Sequence, residues 1–188
     1  MKCCSNFEFM PTKIKDLIII KPVVHEDNRG YFMETYNKEQ FKNNSIDVEF
    51  VQDNQSKSKK GVLRGLHFQT LNEQDKLVRV ISGEVFDVAV DLRKDSSTYG
   101  MWVGTYLSSK NNKQFYIPKG FAHGFLVTSE EAEFVYKCTD FYNPKAQSGI
   151  RWDDPDIGIT WPLECISEIL LSEKDKNQPF LKDSKIML

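Results

Sequence analysis

Short segments rich in β-branched and aromatic residues, each bounded by Gly, Pro, Asn, Asp or Ser, run through most of this chain and constrain its fold more than any other feature. The expected strands are residues 17–20, 31–36, 49–53, 62–68 and 77–81, followed by 84–92, 102–107, 114–117, 122–127 and 133–141. Alternation is clearest in residues 84–92. There Phe86, Val88, Val90 and Leu92 share one apolar face, while Asp87 and Asp91 point the other way. Ser82-Gly83 between two such runs predicts a hairpin. Helical periodicity is confined to residues 38–43 and 164–171. Many short strands with no internal repeat, low-complexity tract or linker predict an all-β fold. The best match is a double-sheet jelly roll, a cupin-like β-barrel with a few short helices. Such a barrel can hold a small ligand between its sheets, and an exposed edge strand can pair across a dimer.

At 188 residues the chain has the length of one ordinary domain, so residues 1–188 are read as a single unit. A formal net charge of -2 offers no global field for nucleic acid or an anionic membrane, so an anionic ligand must be held by local Arg or Lys. The apolar run Leu17-Ile18-Ile19-Ile20 is far too short for a membrane span or a signal-peptide core. The spacing of Cys3, Cys4, Cys138 and Cys165 fits no zinc pattern. Cys3 and Cys4 read as reduced thiols in a frayed terminus, and a cytoplasmic protein is expected.

Only three histidines occur, His25, His67 and His123, and imidazole is the natural base near neutral pH. His67 lies in an expected strand three residues after Arg64, and His123 follows a Pro/Gly turn among small residues. Each could equally be a satisfied structural histidine. His25, beside Glu26 and Asp27, reads as a solvated loop residue. The His-x-His pair common in metal-binding jelly rolls is missing, since Gln69 stands two residues after His67, and no catalytic metal is expected. No Gly-rich dinucleotide fingerprint is present, and no cofactor is expected. Arg29 and Arg64 are suited to a bidentate grip on phosphate, although each taken singly would be an ordinary surface charge.

In combination these segments resemble the dTDP-4-dehydrorhamnose 3,5-epimerase family. The resemblance rests on Asp27-Asn28-Arg29-Gly30-Tyr31-Phe32-Met33-Glu34, Phe50-Val51-Gln52-Asp53-Asn54 and Gly61-Val62-Leu63-Arg64-Gly65-Leu66-His67-Phe68-Gln69. It continues through Lys76-Leu77-Val78-Arg79-Val80, residues 83–91 and 117–125, Tyr136-Lys137-Cys138-Thr139, Trp152-Asp153-Asp154-Pro155 and Leu171-Ser172-Glu173-Lys174-Asp175. Each motif alone is modest, whereas their order and spacing are specific. The resemblance implies a metal-free jelly-roll homodimer acting on a dTDP-linked 4-ketosugar. It implies that His67 is the base, Asp175 its orienting partner, Tyr136 the acid on the opposite face and Lys76 the group that steadies the enolate. Arg29, Glu34, Gln52, Asn54, Arg64 and His123 resemble the residues that hold the nucleotide or the sugar.

The chemistry is self-consistent, because inversion beside a ketone needs a base, an oxyanion stabiliser and a proton source on the far face. One tension concerns Arg64 and His67, which strict alternation places on opposite faces of their strand. Both can line one pocket only if the strand bulges, and Gly65 is the natural place. Two alternatives stay open: a 3-epimerase, 5-epimerase or ketoisomerase acting on another nucleotide sugar, and a sugar-binding barrel without catalysis.

Overall fold

The computed structural model describes residues 5–184, so Cys3 and Cys4 lie outside the described residues. Thirteen strands and three short helical pieces follow in chain order. The first are β1 (Phe7–Pro11), β2 (Ile18–Pro22), β3 (Val24–Asp27), β4 (Gly30–Met33), α1 (Lys38–Asn43) and β5 (Gln52–Lys59). Next come β6 (Leu63–Gln69), β7 (Lys76–Ser82), β8 (Glu84–Asp91), β9 (Trp102–Ser108) and β10 (Gln114–Ile117). The chain ends with β11 (Phe121–Val127), β12 (Glu131–Cys138), β13 (Gln147–Gly149), α2 (Glu173–Lys176) and a 3-10 turn at Leu181–Asp183.

The strands form a six-stranded sheet, ordered β1-β2-β10-β7-β12-β5, and a five-stranded sheet, ordered β13-β6-β11-β8-β9. Strands β3 and β4 make a separate two-stranded hairpin. The two large sheets face each other as a jelly roll. Val78, Val80, Phe115, Ile117 and Phe134 from one interleave with Val85, Ala89, Leu107, Phe125 and Val127 from the other. A second apolar cluster lies on the outer side of the five-stranded sheet. There Leu63, Leu66, Val88, Val90 and Leu126 are covered by Ile150, Ile157 and Trp161. A third, around Phe7, Phe41 and Tyr116, seats α1 against β1, β2 and β10.

Several expectations need correction. Ser82-Gly83 does turn the chain, but β7 and β8 belong to different sheets, so the turn is a crossover and not a hairpin. Gly83 has φ +78° there, and a Cβ at this position would meet the Glu131 carbonyl oxygen. The polar stretch expected to follow a strand ending at Asp53 is itself the strand β5, paired with β12 from Gln52↔Cys138 to Lys59↔Glu131. Residues 164–171 form no helix, and the helical turns lie just beyond them in α2 and at Leu181–Asp183. His25 sits in β3, exposed but not in a loop. In β8 the two faces expected from alternation are both covered. Its Phe86/Val88/Val90 side packs under the C-terminal segment, and Asp87 on the other side points between the sheets with Val85 and Ala89.

Candidate active site

Strands β6 and β11 of one sheet and β12 of the other wall a cavity of about 570 Å³, closed at one end by the segment leading into α2. Its lining includes Asn54, Arg64, His67, Lys76, His123, Tyr136 and Asp175. A connected lobe, sharing Asn54, His67, Lys76 and Tyr136, adds Gln52, Gln74 and Cys138. Eight of the ten residues singled out from the sequence therefore meet in one space.

Arg64 and His67 both reach this space because β6 bulges. His67 pairs with His123 and Arg64 pairs with Phe125, so a three-residue step on β6 faces a two-residue step on β11. Gly65, at φ +129°, occupies the bulge, and a Cβ there would lie 2.5 Å from the Gly124 Cα. Only the glycine pair lets the two backbones approach so closely.

His67 Nε2 lies 2.5 Å from Asp175 Oδ1 although the two residues are 108 positions apart. A short helix makes this meeting possible. Ser172 N-caps α2 by accepting the Asp175 N–H at 3.1 Å, and its hydroxyl donates to Asp175 Oδ2 at 2.8 Å. Burial raises the Asp175 carboxyl, but the hydrogen bond and charge of His67, the Ser172 hydroxyl and the Arg64 charge together hold it below its ordinary range. Nδ1 of His67 has no hydrogen-bond partner among the described residues, and with Nε2 committed it is the nitrogen free to take a proton.

Tyr136 comes from the facing sheet, directly across from Asn54 on β5 and Val78 on β7. Burial, then the neighbouring Cys138, raise its phenol above the ordinary value, against a smaller lowering by Arg64. It is thus a neutral proton carrier near pH 7. Burial lowers the Lys76 ammonium, opposed by Cys138 and then by Asp87. Arg64 donates through Nε and Nη2 to Ser58 Oγ at 3.2 and 3.1 Å, and Gln52 Nε2 donates to Asn54 Oδ1 at 2.9 Å.

Arg29 and Glu34 do not join the cavity. Arg29 is exposed in the β3–β4 hairpin and paired with Asp27. Glu34 accepts from Asn6 Nδ2 at 3.0 Å and Asn37 Nδ2 at 2.9 Å beside α1. Sequence reasoning left out Asp87, which binds His123, and Tyr142, Gln147 and Lys174, which line the cavity mouth. Gln147 Oε1 there accepts from Tyr142 Oη at 2.5 Å and Lys174 Nζ at 2.7 Å. A usable signal existed for one part of the site, because Ser172-x-x-Asp175 is a helix-start pattern that fixes the carboxylate locally. Among the described residues no group of three His, Cys, Asp or Glu side chains is placed to hold a metal ion.

Comparison with known proteins identifies the family. The family model for dTDP-4-dehydrorhamnose 3,5-epimerase matches residues 11–183. A protein of that name from Methanothermobacter thermautotrophicus is 56% identical over 184 residues, 98% of this chain and 100% of the relative. Another from Salmonella typhimurium is 54% identical over 172 residues, 90% of this chain and 93% of the relative. Among solved structures, a dTDP-6-deoxy-D-glucose-3,5-epimerase from Legionella pneumophila in complex with dTDP-4-keto-L-rhamnose superposes with a TM-score of 0.91. Its identity is 48%, with 94% of this chain and 93% of that one covered. A jelly roll with an imidazole–carboxylate couple facing a buried phenol, matched over nearly its whole length, therefore belongs to the dTDP-4-dehydrorhamnose 3,5-epimerase family.

Proposed function

We propose that this protein inverts C3 and C5 of dTDP-4-keto-6-deoxy-D-glucose by taking a proton from one face of the sugar and returning one to the other. His67 takes the proton through Nδ1, with Asp175 holding the ring and offsetting the charge that the imidazole gains. The electron pair left at carbon moves into the C4 carbonyl, and Lys76 supplies a fixed cation for the resulting oxyanion. Tyr136 delivers a proton from the facing sheet and completes the inversion. Its raised phenol is still protonated at neutral pH, as a donor must be. Arg64 is assigned to the nucleotide phosphates, and Gln52, Asn54 and His123 to holding the sugar or the nucleotide. These side chains supply every step, so neither metal nor organic cofactor enters the scheme.

Arg29 and Glu34 take part under this reading only if a second copy brings them. The β3–β4 hairpin that carries Arg29 also exposes Tyr31 and Phe32, at 59% and 71%. Exposed aromatics beside a guanidinium suit an inter-subunit contact that completes a neighbouring pocket. The working assembly is accordingly a homodimer of single-domain chains. No helix among the described residues is long and apolar enough to cross a membrane, which supports a cytoplasmic setting.

The observation that carries this reading is that His67 and Tyr136, from opposite sheets, line one cavity. The test is turnover of dTDP-4-keto-6-deoxy-D-glucose in deuterated water, followed by proton NMR. Deuterium at both C3 and C5 is expected. Deuterium at one centre only would establish a mono-epimerase, and none with this sugar but some with a GDP-linked ketosugar would establish a different substrate.

A further inference from the structure

We propose that Asp87 is a positioning residue for the enolate side of the pocket. It fixes the ring of His123 and serves as the countercharge of Lys76. The proposal rests on the epimerase reading above and deepens it.

Asp87 stands on β8 with its side chain between the sheets, 0% exposed, where its neighbours on the same face are Val85 and Ala89. A carboxylate in such surroundings is costly unless it is paired, and an apolar residue would fill the space at less expense. Both of its oxygens approach Nε2 of His123, at 3.0 and 2.9 Å. On its other side the imidazole stacks on Phe134, with centroids 6.1 Å apart and planes inclined by 23°. The ring is therefore held at one nitrogen and on one face. Nδ1 has no hydrogen-bond partner among the described residues.

The cross-strand pairing places His123 directly beside His67, so two imidazole–carboxylate pairs stand side by side on the five-stranded sheet. One pair serves the base. The other faces Lys76, whose Nζ makes no hydrogen bond or ion pair among the described residues. His67 from β6, His123 from β11 and Tyr136 from β12 share the cavity with Lys76, Cys138 from β12 joins them in the adjoining lobe, and Asp175 stands behind His67. Asp87 from β8 lies outside the lining, behind His123, and acts on the Lys76 charge from there. Asp175 is committed to His67, Cys138 is a buried thiol raised to about 11 and so uncharged, and Tyr136 is neutral. Asp87 is the carboxylate left to balance the cation. Burial raises its own carboxyl, opposed by His123 and then by Lys76, while burial lowers the Lys76 ammonium, opposed by Cys138 and then by Asp87. Each charge thus supports the other across the ring of His123.

Asp87→Asn keeps the shape and removes the charge. The experiment measures kcat and KM for dTDP-4-keto-6-deoxy-D-glucose across pH, with the wild type run in parallel. Expected are a kcat loss of about 10- to 100-fold, a KM within about twofold, and an alkaline limb displaced downward by about one pH unit. The sign follows from the charge: without the anion the ammonium is less stable, so it loses its proton at lower pH. Wild-type kcat in the variant, or a loss that is uniform across pH with the limb unmoved, overturns the proposal. An inactive wild type would instead defeat the epimerase reading itself. Should Asp87→Asn fail to fold, the ring nitrogen shifts of His123 in the native enzyme decide. A proton held on Nε2 supports the proposal, and an Nδ1–H tautomer overturns it.

Discussion

The most discriminating perturbation is Asp175→Asn compared with Asp175→Ala. Asp175 is 3% exposed and spends Oδ1 on His67 and Oδ2 on the Ser172 hydroxyl. A carboxylate can only accept from Nε2, so the proton sits on Nε2 and the lone pair is left on Nδ1. An amide changes that rule. With its oxygen kept toward the Ser172 hydroxyl, its NH2 turns to His67, Nε2 must accept, and the proton moves to Nδ1. The nitrogen meant to be a base becomes a donor. Misplacing the tautomer and losing the anion together should lower kcat by about 10³- to 10⁴-fold, or about 4–5.5 kcal/mol of barrier. Asp175→Ala leaves the ring free to sample both tautomers and should lose only about 10²-fold. Deuterium wash-in at saturating substrate reads the step directly, with dTDP affinity as the control for an intact pocket. Asp175→Asn within tenfold of wild type, or Asp175→Ala slower than Asp175→Asn, would refute the tautomer argument.

Tyr136→Phe keeps the buried ring and removes the hydroxyl, so product formation should fall by about 10²- to 10⁴-fold while wash-in falls much less; parallel losses would count against its role as the acid. Gly65→Ala drives a Cβ to 2.5 Å from the Gly124 Cα and 2.9 Å from the His123 carbonyl oxygen, both backbone atoms that cannot step aside. It should cost about 3 kcal/mol or more in urea unfolding and impair turnover through the Arg64–His67 bulge; wild-type stability would show that the bulge adapts. Asp91 is fully buried, and although burial raises its carboxyl, Arg93, Thr98 and Ser96 bring it down to about 2. This lowered group stabilises the fold above the ordinary carboxylate range by about 2 kcal/mol and loses that contribution as pH falls toward its folded value. Asp91→Asn should therefore be less stable than wild type at pH 7, with the gap closing under acid; a gap independent of pH would exclude this account.

Where alternation and turn chemistry are local, the sequence was legible: β10 and α1 fall on the expected residues, and β6 and β11 differ only at their ends. What stayed hidden depended on partners distant in sequence. Strand β5 is polar throughout because it is an edge strand between cavity and solvent, held by its ladder to β12 and not by an apolar stripe. Ser82-Gly83 announces a turn, but whether a turn closes a hairpin or changes sheets is decided by what packs behind it. Here that is the backbone at Glu131 and Ala132. The pairing of His67 with Asp175 came from family likeness, since nothing in residue spacing brings positions 108 apart together. That Asp87 faces the other sheet was hidden because the cover over the apolar face of its strand, from residues near 150–170, forms only in the folded chain. Arg64 and His67 are the converse case, where a conflict in parity pointed to a glycine bulge that the strand contains.

The arrangement of the site explains why two facing sheets suit this reaction. Inversion requires that the proton leave one face of a carbon and return to the other, so a base and an acid on one wall would exchange protons without changing configuration. The inner faces of packed sheets stand about 10 Å apart, enough for a sugar ring with a side chain reaching it from either side. In this protein the imidazole–carboxylate pairs lie on the five-stranded sheet, through His67 on β6 and His123 on β11. The phenol and the ammonium lie on the six-stranded sheet, through Tyr136 on β12 and Lys76 on β7, which are neighbouring strands. Proton acceptance and proton donation are thus divided between sheets by the topology. Under the proposed assignment, the cation for the enolate oxygen sits on the donor's side, on the strand next to that of Tyr136. On the proposed reading, strand placement puts the base and the acid on opposite sides of the sugar, as inversion requires.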